Sequence, residues 1–191
     1  MVNNRRGVVE GLPSPSTIKV HVRMCSELLN LVVRVSEIIP EIEEARPRAS
    51  GMEALCSLNN GVDKAMSLLQ HCCESSVLYL SLTGDAILSR CNKLKNLLEH
   101  SLGLILNMVP LVLAAKISGI ILTIRCAVFY LEPNEEEAGK VLKELVHRYG
   151  SSTDSKEEFA FSSIRLVCSR LHISSKRDLA IERRSIRKIR R

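Results

Sequence analysis

The feature that most constrains this chain is an apolar seam between residues 55 and 72. Leu55, Leu58, Val62, Ala65, Leu69 and Cys72 recur at alternating steps of three and four, which places them on one face of an α-helix and on no face of a strand. A charged turn broken by Pro47 precedes the seam. Leu78-Tyr79-Leu80, closed by Thr83-Gly84-Asp85, follows it. By periodicity the stretch from Glu43 to Asp85 is a helix hairpin inside a bundle.

The rest of the chain repeats the pattern. Ser16 or Thr17 is placed to cap a first helix, in which Ile18, Val22, Cys25, Leu29, Val32, Val35 and Ile39 form a stripe that ends near Pro40. A second helix starts after Ser50-Gly51 and ends around Glu74. Asp85 is the expected cap of a third, carrying Ile87, Cys91, Leu94, Leu98, Ile105 and Met108 before Pro110. In a fourth, Leu113, Ile117, Ile120, Ile124, Ala127 and Leu131 are expected to face inward. Ile121, Leu122 and Val128 fall off that seam, so they are the candidate partner surface.

A fifth helix starts at Pro133-Asn134, with Asn134 as cap, Glu137 three residues on, and acid gathered at the positive end of the dipole. It runs to about Tyr149. Phe161, Ile164, Cys168 and Leu171 mark a sixth helix beyond a polar loop, and Leu179, Ile186 and Ile189 a basic seventh. Trp is absent and there are three Phe and three Tyr, with no alternating run that a sheet would need. The expected fold is all-α, a helical bundle of about six or seven helices. Residues 1–16 read as a disordered linker, 17–173 as the bundle and 174–191 as a basic C-terminal helix.

The formal charge of +6 resides in the tail: residues 176–191 hold eight Lys and Arg against two acids, leaving 19 of each sign elsewhere. The body of the protein is therefore neutral, and its pI is no sign of nucleic-acid binding. Arg183, Arg184, Arg187 and Lys188 form a candidate basic contact surface for a solvated bundle face, an anionic lipid or acidic partner, or nuclear import. No aromatic residue is interleaved with them, which argues against single-stranded nucleic acid.

Seven scattered cysteines fit free thiols in a reducing compartment better than a disulfide framework. No apolar signal core follows the N-terminus, so the chain is expected in the cytoplasm, with the inner face of the plasma membrane or the nucleus as further locations. From Leu102 to Leu131 the chain is strongly apolar, but Asn107, Pro110, Lys116 and Arg125 interrupt it before the roughly 18 residues of a spanning helix are reached.

Candidate chemistry is sparse. His71-Cys72-Cys73 is the densest set of soft ligands, yet consecutive helical side chains diverge by about 100° and no second pair lies at zinc spacing. His21 and Cys25, one turn apart, could pair as base and nucleophile but lack an orienting third group. Glu136-Glu137-Ala138-Gly139-Lys140 ends in Gly-Lys without the upstream Gly of a phosphate loop. No catalytic, metal or cofactor site is expected, and no small-molecule substrate.

Several ordered words carry a further signal. Glu43-Glu44-Ala45-Arg46-Pro47, Ala54-Leu55-Cys56-Ser57-Leu58, Leu68-Leu69-Gln70-His71-Cys72, Leu78-Tyr79-Leu80 and Thr83-Gly84-Asp85 resemble the N-terminal domain of plant U-box ubiquitin ligases. The similarity continues through Val109-Pro110, Leu131 to Glu137, Ser169 to Ser175 and Ile181 to Lys188. The resemblance implies a bundle related to the N-terminal bundles of Cbl adaptors, which recruits partners ahead of a U-box that docks a ubiquitin-conjugating enzyme. It implies protein partners such as receptor-like kinases, exocyst subunits or ligase substrates.

Two departures stand beside it. The sequence reaches Arg191 without the Cys-Pro-Ile, Asp-Pro-Val and Trp elements of a U-box, so the chain by itself is not expected to load a conjugating enzyme. A fragment, a truncated gene model and a stand-alone adaptor all remain open. Ile120-Ile121-Leu122-Thr123-Ile124 is more apolar than its counterparts. The expected function is a non-catalytic interaction module of a U-box ligase; the alternative is a peripheral membrane adaptor using the basic tail and the apolar fourth helix.

Overall fold

The computed structural model describes residues 17–149, 166–169 and 171. Within them are six α-helices: α1 (Val22–Ala45), α2 (Ala49–Glu74), α3 (Val77–Leu82), α4 (Gly84–Leu106), α5 (Leu111–Cys126) and α6 (Pro133–Tyr149). Residues 166–169 add one helical turn, and no strand occurs among the described residues. The linker 1–16, Phe161, Ile164 and the basic helix with Arg183, Arg184, Arg187 and Lys188 lie outside the described residues.

The seam of α2 is buried along its whole length, from Leu55 to Cys72. α2 packs against α1 and α4, and α5 closes the ring by packing against α4 and α1. Gly51 near the start of α2 lies beside Met108 after the end of α4, and Gly61 lies against Leu97 and Leu98, so the two helices run antiparallel. The main core fills this four-helix ring, with Leu28, Leu31, Leu58, Leu69, Leu98, Leu102, Ile117 and Ile124 fully buried. Truncating any one of these leucines to Ala is worth about 2–5 kcal/mol. Leu78, Ala138, Leu142 and Val167 make a second, smaller core beneath α3 and α6.

Several helix boundaries differ from the expectation. α1 does not begin at Ser16 or Thr17. Its N-cap is His21, held at φ 58 and ψ 32, and Val22 is exposed rather than inward. Pro40 lies inside α1, which continues to Ala45. A proline removes one backbone donor; here it sits on the exposed side of the helix, out of the core.

Leu78-Tyr79-Leu80 forms a short helix instead of a plain connection, because Ser76 caps it by accepting from Tyr79 N–H at 3.3 Å. Asp85 is not the cap of α4. Thr83 is, and Asp85 sits in the first turn, where it favours the dipole and pairs with Lys143.

At the start of α6 the expected Asn134 and Glu137 pair is displaced by two residues. Pro133 opens the helix, Glu136 N–H donates to the Glu132 carbonyl at 2.9 Å, and the Glu135 carboxylate accepts from Glu132 N–H at 3.3 Å. This is the backward reach of a capping box, made by Glu135.

α5 ends at Cys126, so Ala127 and Leu131 lie in the connection to α6, where Ala127 is still buried. Its inward residues are Leu113, Ile117, Ile121 and Ile124. Ile121 therefore belongs to the core and cannot be part of an outer surface, whereas Ile120 is half-buried. The steps from 117 to 121 and from 121 to 124 follow the helical seam as closely as those through 120, and packing between α1 and α4 selects the former.

Candidate functional site

Two features outside the core stand out: a buried polar knot at the start of α1 and an apolar outer face on α5. The knot is centred on His21, which is almost fully buried. Its backbone N–H donates to Glu135 Oε1 at 2.6 Å, its Nδ1 lies 3.0 Å from Glu135 Oε2, and its Nε2 lies 3.0 Å from the Leu80 carbonyl oxygen.

Both ring nitrogens thus face acceptors, an arrangement that only the doubly protonated imidazolium satisfies. Burial alone would lower the imidazole's pKa. The Glu135 hydrogen bond, the Leu80 carbonyl and the Glu135 charge outweigh it and hold the ring above its ordinary 6.5. Burial pushes the Glu135 carboxyl up, but the bond to His21, its charge and the two backbone donors bring it below 4.5.

The knot joins three elements that are far apart in sequence: α1 through His21, α3 through Leu80 and α6 through Glu135. Gly84, at the start of α4, leaves room for the ring, since a Cβ there would stand 3.2 Å from His21 Cε1. With both nitrogens committed, the ring has no free base for a nucleophile. Cys25 offers none either: its hydrogen bond to Cys72 and its burial push the thiol's pKa up, and burial pushes Cys91 up to about 12. These are packing thiols.

The His71-Cys72-Cys73 cluster separates in the same way. Cys72 is buried, Cys73 receives the Thr17 hydroxyl at 3.3 Å, and His71 Nδ1 is hydrogen-bonded with the Ser75 hydroxyl at 3.2 Å and its ring meets Tyr79 edge-on at 5.7 Å. Among the described residues no group of three His, Cys, Asp or Glu side chains is placed to hold a metal ion. Gly139 of the Gly-Lys pair has a packing reason: a Cβ there would stand 2.6 Å from the Ser81 carbonyl oxygen.

The outer face of α5 is the second feature. Leu111 is 86% exposed, Val112 75% and Leu122 60%, and Val128 beyond the helix is 68% exposed. Leu111, Ala115, Ser118 and Leu122 fall on one line of the helix at steps of four, three and four. The two charges of α5 are turned to the bundle's own acids, Lys116 to Glu41 and Arg125 to Glu99, each at 2.6 Å. Leu122 and Val128, two residues of the expected surface, are exposed. Leu111 and Val112 are not among the residues expected there, although their position directly after Pro110 and outside the inward seam marks them as outward. No described helix is long and apolar enough to cross a membrane.

The fold and these two features define an all-α helical bundle with a polar clasp and an apolar outer face. Over 174 residues the chain is 43% identical to U-box domain-containing protein 5 of Arabidopsis thaliana, a match covering 91% of this chain and 24% of that protein. It is 38% identical over 184 residues to U-box domain-containing protein 6 and 35% identical over 181 residues to U-box domain-containing protein 7, both of Arabidopsis thaliana, covering 94% of this chain and 24% and 23% of theirs. The chain is thus homologous, over nearly its whole length, to plant U-box domain-containing proteins, and it spans about a quarter of the length of these relatives. No family model matches the chain, and no solved structure matches it.

Proposed function

We propose that the chain is the non-catalytic recruiting module of a U-box ubiquitin ligase, and that it docks a protein partner on the outer face of α5. The observation that carries this reading is the exposure of Leu111 and Leu122 on one line of α5, with Val112 next to Leu111 in the chain and Val128 past the helix also exposed, while the neighbouring charges are spent on Glu41 and Glu99. Isolated exposed leucines are ordinary, but several large exposed apolar side chains gathered on one short segment mark a recognition surface. Its small central residues, Ala115 and Ser118, let another backbone come close.

Receptor-like kinases, exocyst subunits and ligase substrates are the partner classes that the sequence resemblance implies, met in the cytoplasm or at the inner face of the plasma membrane. Thiols such as Cys25, Cys72 and Cys91 suit those locations.

The test uses the chain as bait in plant extract, compared by quantitative mass spectrometry with Leu111→Glu/Val112→Glu/Leu122→Glu. A reproducible set of proteins lost from the variant by about tenfold or more supports the reading. An identical retained set, with both baits equally folded by circular dichroism, contradicts it.

A further inference from the structure

On a different side of the bundle, α2 and α4 enclose an open groove of about 650 Å³ that contains no residue of α5. Lys64 projects into it from α2, and Arg90 and Lys93 from α4, so cations stand on both walls. Leu68, Leu94 and Leu97 lie between them.

The three cations contrast with several others on the bundle. Lys116, Arg125, Lys140 and Lys143 each pair with a carboxylate of the chain, and Lys95 donates to the carbonyls of Arg125 and Ala127. Lys64, Arg90 and Lys93 make no ion pair with any described residue. Asp63 is the single carboxylate on the groove, which leaves an excess of two positive charges there.

We propose that this groove binds an acidic peptide segment of a partner protein, one that sets Glu or Asp side chains against Lys64, Arg90 and Lys93 and rests an apolar side chain on Leu94 and Leu97. The charge fits such a segment: unpaired cations across a groove attract carboxylates and fix their register, and an apolar strip between two helices is the seat of a helical ligand. The shape selects the class. A concave groove takes a chain segment rather than a flat headgroup plane. A nucleic acid would meet the Asp63 carboxylate and find no Phe, Tyr or Trp among the lining residues on which to stack a base.

The experiment titrates the isotopically labelled 191-residue chain with a synthetic amphipathic peptide of alternating Leu and Glu at helical spacing, followed by amide chemical shifts. Shifts are expected at Lys64, Leu68, Arg90, Lys93 and Leu97, not on α5. Lys64→Glu/Arg90→Glu/Lys93→Glu is expected to weaken binding by about tenfold or more, and the neutral triple alanine variant by less. Raising the salt from about 50 to 200 mM is expected to weaken it several-fold.

A peptide with every Leu changed to Ser should bind markedly less well. Four results would each overturn the proposal: no shifts at millimolar peptide, an affinity indifferent to charge reversal, equal binding of the Ser peptide, or vesicles of phosphatidylserine captured through these three cations in place of the peptide. Loss of α5-dependent partners leaves this groove untouched, so the two surfaces fail or stand separately.

Discussion

Glu135 holds His21 twice, its Oε1 on the backbone N–H at 2.6 Å and its Oε2 on ring Nδ1 at 3.0 Å. The first contact fixes the left-handed residue that opens α1. The second keeps the buried ring charged and ties α6 to α1, while Nε2 reaches the Leu80 carbonyl of α3. The start of the first helix is thus fastened by a residue 114 positions away.

This clasp makes stability depend on pH with a definite sign. The His21 pKa is raised on folding, so its contribution is complete below 6.5 and is lost as pH climbs through the higher folded value. The Glu135 pKa is lowered, so its contribution is complete above 4.5 and is lost as pH falls through the lower folded value. Urea unfolding is therefore expected to show greatest stability between these two ordinary values and a decline towards alkaline pH. Glu135→Gln, which keeps the shape and removes the charge, should flatten the alkaline decline and cost about 3 kcal/mol at pH 6. An unchanged pH profile in that variant would sink the clasp.

Gly139 predicts a purely steric effect. Its missing Cβ leaves space for the Ser81 carbonyl at a 2.6 Å approach, and a backbone atom cannot swing away as a side chain can. Gly139→Ala should destabilise by about 1–3 kcal/mol despite raising helix propensity. Thermal unfolding of the variant checks the sign, and a gain in stability would show that α3 and α6 do not approach this closely.

Arg46 predicts the opposite sign. It ends α1 at φ 47 and ψ 63, with its N–H donating to the Glu43 carbonyl at 3.2 Å, and it is exposed. Glycine adopts this conformation without the Cβ penalty. Arg46→Gly is expected to raise stability by about 0.5–1 kcal/mol; a loss measured by chemical denaturation would contradict the left-handed cap.

The outer residues of α5 predict recognition without stability. Leu111 and Val112 are among the most exposed apolar side chains described, so Leu111→Ser and Val112→Ser should change unfolding free energy by less than about 0.5 kcal/mol. Replacing Ile121 by Ser instead should cost several kcal/mol, since it buries a hydroxyl in the core. Equal effects at the two sites would mean that the two sides of α5 are not distinguished as described.

Much of this architecture was legible in residue spacing. The seam from Leu55 to Cys72 and the stop before Pro110 are local signals, and each is where the structure has it, while the start near Pro133 is found with its cap two residues early. Pro40 does not end α1 as its residue type suggests; it sits on the exposed face of the helix, and exposure is not a local property. Ile120 and Ile121 compete for one seam, and only the neighbouring helices decide between them. The clasp was invisible for a different reason. His21 was set beside Cys25 by its spacing, while the partner that defines it lies on α6, and no periodicity connects the two.

The most direct measurement of the central claim is ubiquitin transfer in a purified system of activating enzyme, conjugating enzymes and ubiquitin. The 191-residue chain is predicted to form no ubiquitin chains by itself, and to direct ubiquitin onto its α5-bound partners once it is joined to a U-box from one of its relatives. Transfer catalysed by the 191-residue chain alone would contradict the account of a recruiting module.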